Sequence, residues 1–187
     1  ITHGSNSGTA NLVLASDGGV TIPEKKLVCP GTIIQVVTAE HSAETSTTGT
    51  AYVDTGLTAN ITPTSSSNKI MVIVSQYWHL ERSTDQARGA IRLLRGSTVI
   101  EQGSNTADGS EGGALGFSSA NGPGAIQITN RYNLVLVDSP STTSQTTYHT
   151  EMANHQSGSS PIMTINKNLN NNGQNAKGYL TLMEIVA

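Results

Sequence analysis

Side chains able to do chemistry are sparse in this sequence. His149 and Glu151 stand two residues apart, so on a strand they project from one face, and His155 follows shortly after. Imidazole nitrogen and carboxylate oxygen at that spacing suit a metal ion or an ion pair. The pair, within the chain or to a neighbouring copy, is the reading we adopt; a His149 near a symmetry axis would make assembly pH-sensitive. Four of the five arginines fall between Arg82 and Arg95, with Arg88 and Arg92 on one strand face and Arg95 on the other. Clustered guanidinium groups can hold sulfated or phosphorylated glycans. Glu81 and Asp85 lie beside them, which points to a solvated ion-pair face or a subunit contact. Tyr77-Trp78-His79 invites sugar stacking, but alternation assigns Trp78 to the core with Ile70, Val72 and Val74, leaving Tyr77 and His79 as surface candidates.

Motifs that would fix a reaction do not occur. There is no Gly-x-Ser-x-Gly elbow, P-loop, Gly-x-Gly-x-x-Gly or His-Glu-x-x-His. Asp108 and Glu111 form a close acidic pair in a long loop, yet a glycan-cleaving pair needs a fixed carboxylate separation that a Gly-rich loop does not hold. We therefore expect no enzyme, no cofactor and no metal. Asn60-Ile61-Thr62 matches a glycosylation sequon, but the following Pro63 and the lack of a visible signal peptide make it incidental.

Composition narrows the class further. Ten Lys plus Arg face thirteen Asp plus Glu, a net charge of -3, which excludes the basic stripe of a nucleic-acid binder. Ser, Thr, Asn and Gly make up about two fifths of the chain, yet the balance is nearly neutral and rich in β-branched residues, unlike charged disorder. Aromatic residues are 4%, so the core must be aliphatic. No run approaches the roughly 18 apolar residues that span a bilayer, so we expect no membrane insertion. Cys29 is the single cysteine, which precludes an intrachain disulfide.

The elements that must position these side chains are strands. Period-two alternation is clearest over 125–137, with Ile126, Ile128, Tyr132, Leu134 and Leu136 opposite Gln127, Thr129, Arg131 and Asn133. Residues 70–80 are apolar on both faces and are predicted to be a central strand covered on both sides. Further strands are predicted at 31–39, 48–54, 90–95, 98–102, 146–153, 161–166 and 178–186, the last buried in the sandwich or at a subunit interface. Arg95-Gly96-Ser97-Thr98 reads as a hairpin turn. Residues 103–124 and 168–177 read as long polar loops, and Asp108, Glu111, Asn170, Asn171, Asn172 and Gly173 are the receptor-contact candidates they offer. The whole is an all-β, jelly-roll-like β-sandwich over 31–187. Residues 1–30 form a stalk or connector, in which Leu12, Leu14, Val20 and Ile22 flank Asp17-Gly18-Gly19.

A resemblance adds to this reading. Gly31-Thr32-Ile33-Ile34-Gln35-Val36-Val37, Asp54-Thr55-Gly56-Leu57, Ile61-Thr62-Pro63, Ser67-Asn68-Lys69-Ile70-Met71-Val72 and Leu93-Leu94-Arg95-Gly96-Ser97 are similar to tail-fibre and virion structural proteins of tailed phages, especially marine ones. Val135 with Val137-Asp138-Ser139-Pro140, then Leu180-Thr181-Leu182-Met183-Glu184-Ile185, extend the likeness across 31–187. What the resemblance implies is a virion location and a homotrimeric appendage tip that contacts a host-surface glycan or protein. The N-terminal segment would meet other virion proteins. The rival it leaves open is a capsid decoration protein, with a glycan-degrading spike enzyme behind it.

Overall fold

The computed structural model describes residues 13–14, 20–21, 29–82, 87–102, 114–118, 126–154, 162–167 and 176–187. Among these every regular element is a strand. In the N-terminal segment β1 (Val13–Leu14) and β2 (Val20–Thr21) pair antiparallel with each other. The domain that follows runs through β3 (Ile33–His41), β4 (Thr45–Thr47), β5 (Val53–Ile61), β6 (Lys69–Arg82), β7 (Ala87–Arg95) and β8 (Thr98–Glu101). It continues through β9 (Ala114–Ser118), β10 (Ile126–Asp138), β11 (Thr146–Asn154), β12 (Ile162–Ile165) and β13 (Gly178–Ile185).

β6 is the pivot of the first sheet. Along one edge it pairs with β10, Ile70 opposite Asp138 and Leu80 opposite Ile128. Its other edge is shared end to end, β13 pairing with residues 69–75 and β12 with 78–81. β3 lies outside β13 and β4 outside β12. The second sheet runs β5-β11-β7, with β8 and β9 sharing the free edge of β7. The antiparallel pairs β3·β13, β5·β11, β6·β10 and β7·β8 are those of one long ribbon rolled up on itself, first strand against last. That is a jelly roll, closed by the burial of two inward faces.

The inward faces follow from alternation. Leu57, Ala59 and Ile61 of β5, with Leu93 and Tyr148, pack on Ile70, Val72, Val74, Leu180 and Leu182 in one cluster. A second cluster gathers Trp78, Leu80, Ile91, Met152, Met163 and Ile165. Between them lies a polar layer. The Leu57 N–H donates to Thr55 Oγ1 (3.2 Å), the Thr55 hydroxyl lies 2.6 Å from Thr150 Oγ1, and Thr150 donates to Gln76 Oε1 at 2.8 Å.

Several expectations shift. The predicted strand at 48–54 falls on the turn between β4 and β5, and β5 itself begins where that prediction ended. A strand, β9, lies within the stretch read as the 103–124 loop. The β6 face carrying Met71, Ile73 and Tyr77 is half-buried, so this strand is covered fully on one side only. The Arg95-to-Thr98 hairpin is present, with Gly96 at φ +55°; a residue there must accept the left-handed region, which glycine does without steric cost.

Candidate functional site

The rolled ribbon presents two outer faces, and they differ in chemistry. On β5-β11-β7, outward residues of neighbouring strands are brought into register, Glu151 opposite Arg92 and His149 opposite Leu94. Arg92 Nη2 sits 2.6 Å from Glu151 Oε2, and its Nε donates to the same oxygen at 2.8 Å. The guanidinium stacks on the Tyr52 ring, 3.8 Å from its centroid, a cation–π contact that strengthens as water is excluded. His149 Nε2 lies 3.8 Å from Glu151 Oε1. The expected His149–Glu151 pairing is thus present, but Glu151 is held chiefly by Arg92. Among the described residues no group of three His, Cys, Asp or Glu side chains is placed to hold a metal; His155 lies outside them.

Arg95 takes the opposite face, as alternation required, and reaches across the sandwich. Its Nη1 contacts both carboxylate oxygens of Asp138 at 2.7 Å, and the Tyr148 hydroxyl donates to Asp138 Oδ2 at 2.7 Å. Burial first, then the Asp138 carboxylate, holds the Tyr148 phenol far above its ordinary range. These groups clamp the two sheets at one end. Glu81, expected to neutralise the arginines, meets Lys167 Nζ at 2.7 Å and His79 Nε2 at 3.4 Å. Asp85 and the Arg82 and Arg88 side chains lie outside the described residues.

His79 is a correction. Alternation assigns it to the surface, and it is fully buried, with Thr164 of β12 and Thr129 of β10 beside it in the sheet and Glu81, paired with Lys167, at its Nε2. Alternation tells which side of a sheet a residue faces, not whether that side is covered. Trp78 is core, as expected, at 3% exposed. Asp108, Glu111, Asn170, Asn171, Asn172 and Gly173 all fall outside the described residues.

The outer face of β3-β13-β6-β10 carries the feature that sequence reading missed. Strand register lines up Val36, Met183, Met71 and Val137 across four strands, and beside them Thr38, Thr181, Ile73 and Val135. Neither row contains an ionisable group. Of the seven large hydrophobic side chains that stand exposed among the described residues, Ile33, Val36, Val135, Val137 and Tyr179 lie on this one face. The signal was present in Val135 and Val137, which break the polar series Gln127, Thr129, Arg131, Asn133 on the outward side of β10.

No family model matches the chain, and no curated protein does. Among solved structures, one of the infectious bursal disease virus Gx strain overlaps 89% of this chain and 42% of its own at 13% identity, with a TM-score of 0.33. A mutant VP2 protein of infectious bursal disease virus, from derived T=1 particles, overlaps 88% and 39% at 14% identity, with a TM-score of 0.30. This chain therefore spans about two fifths of the length of the chains it matches. Overlaps this loose bear neither on the jelly-roll assignment, which rests on the strand pairing, nor on function.

Proposed function

We propose that the chain is a non-enzymatic structural domain of a phage virion, a tail-fibre or appendage tip that attaches to the host surface as a homotrimer. The observation that carries the reading is the outer face of β3-β13-β6-β10, with five exposed large hydrophobic side chains and two central rows free of ionisable groups, the arrangement expected of a subunit in a multi-copy assembly. The strand-and-turn resemblance across 31–187 supports the phage and appendage parts. The low-charge Ser, Thr and Asn surface supports polar contact with a host glycan. Purified domain added in excess should slow adsorption of the parent phage to its host; adsorption at the unhindered rate under saturating domain would overturn the attachment role.

A further inference from the structure

We infer that a single water molecule is bound inside the fold between Gln76 and Asn166, where the edge of β6 passes from β13 to β12. The site is independent of host attachment and of copy number. Gln76 and Asn166 are both fully buried. Gln76 Nε2 and Asn166 Oδ1 are each without a hydrogen-bond partner among the described residues, a state that native interiors avoid. Strand order brings the two amides together. β13 pairs Tyr179 with Ser75, which sets Gly178 beside Gln76, and just past β12 the Asn166 N–H donates to Tyr77 O at 3.2 Å. Asn166 takes φ +55° there, a conformation that asparagine tolerates better than most side chains. A Cβ on Gly178 would stand 3.4 Å from Gln76 Cγ and 3.6 Å from Asn166 Oδ1, so both side chains border one space and the glycine leaves it open.

Hydrogen-bond direction selects the occupant. From β5 the Leu57 N–H donates to Thr55 Oγ1, the Thr55 hydroxyl lies against Thr150 Oγ1, and Thr150 donates to Gln76 Oε1. Beyond the space, Asn166 Nδ2 donates to His41 O at 3.0 Å and Ala43 O at 3.2 Å. Carbonyls only accept, so these bonds use both amide hydrogens and fix which atom is the oxygen. The space is therefore bordered by a donor that needs an acceptor, Gln76 Nε2, and an acceptor that needs a donor, Asn166 Oδ1. The first repels a cation and the second an anion. Water meets both, accepting from Gln76 and donating to Asn166, and two such partners are what a buried water requires. With it the polar layer becomes one donor chain from β5 to the turn between β3 and β4. That chain crosses the edge of β6 at Gln76, between the β13 register that ends at Ser75 and the β12 register that starts at Trp78.

The test is a crystal structure fine enough to place waters, of wild type and of Gly178→Ser. Wild type should show one peak within roughly 2.7–3.2 Å of both Gln76 Nε2 and Asn166 Oδ1. In Gly178→Ser the peak should be lost, the serine hydroxyl taking both bonds. In solution, where no variant is needed, the Gln76 side-chain amide protons of wild type should show cross-relaxation with water of the sign that marks a long-held molecule. A direct Gln76–Asn166 hydrogen bond, a site without density, or Gln76 amide protons without that water signal overturns the assignment. So does a serine variant that keeps the peak beside its hydroxyl, since the water would then lie away from Gly178.

Discussion

Glu184 is a fully buried carboxylate on the inward side of β13, which it shares with Leu180 and Leu182. Its Oε1 accepts from the Thr64 N–H at 2.6 Å, the Thr64 hydroxyl at 2.8 Å and Asn68 Nδ2 at 2.7 Å. The Gln35 amide, turned so that both its atoms are satisfied, donates to Oε2 at 3.3 Å. Burial alone would raise this carboxyl, but donors from Asn68, Thr64 and the Ser65 backbone outweigh it and hold it below its ordinary value. The anion therefore ties the turn after β5 to β13. Because the folded value lies below the unfolded one, this stability is complete above the ordinary value of 4.5 and is lost as pH falls through the lower folded value. His79 acts earlier on the same side: burial, then the Lys167 ammonium, holds its imidazole below 6.5, against the pull of Glu81 and Glu44. Protonation in the unfolded chain then lowers stability as pH drops below that value. Urea midpoints measured from about pH 8 to pH 3 should decline in two steps. Glu184→Gln should cost about 2 kcal/mol at pH 7 and shrink the acid step, the remainder belonging to Glu81, which Lys167 holds low. An acid step of undiminished size in that variant would refute the role given to Glu184.

At the scale of the element, β5 shows why part of the fold was legible and part was not. Its inward residues Thr55, Leu57, Ala59 and Ile61 alternate without a break, but Asp54, Gly56 and Asn60 beside them are turn formers, and they masked the period. Gly56 adopts φ +83°, and the register of β11 against β5 shifts between His149 and Glu151 at the same level. The Asp54 carboxylate accepts the Gly56 N–H at 2.6 Å, so local chemistry that resembles a turn serves here as an irregularity inside a strand. By contrast β6, β7, β10, β11 and β13 fall within a few residues of the expected bounds. The loop candidates rested on loop length, which carries no geometry, and the Arg92–Glu151–Tyr52 group needed cross-strand register that spacing along the chain does not contain. Gly56 also supplies a sharp test. A Cβ there would stand 2.6 Å from the His41 ring on a backbone that L side chains rarely adopt. Gly56→Ala should lower unfolding free energy by about 1–3 kcal/mol, read from denaturant midpoints. Unchanged stability would mean that β5 does not need this conformation.

At the scale of the whole molecule the question is whether two core clusters behave as one. A polar layer of Thr55, Thr150 and Gln76 separates them, and Gln76 Nε2 has no hydrogen-bond partner among the described residues. Two hydrophobic bodies divided by such a layer could unfold in sequence. The topology argues against it. β6 carries Ile70, Val72 and Val74 into one cluster and Trp78 and Leu80 into the other, and β11 does the same with Tyr148 and Met152. Apart from the β7·β8 hairpin, the pairings of the rolled ribbon join segments distant in sequence, as where Ile33 meets Ile185, so neither cluster is held together by local contacts alone. The hydrogen-bond chain through Thr150 is continuous from the β5 backbone to Gln76, so breaking it exposes polar groups to both clusters at once. Trp78 is the only tryptophan and belongs to the second cluster, which makes its fluorescence a local probe against the global far-ultraviolet dichroism. At one protein concentration the two urea transitions should coincide, the mark of a cooperative unit. A tryptophan transition at lower urea would show that the polar layer is a boundary between separately unfolding halves.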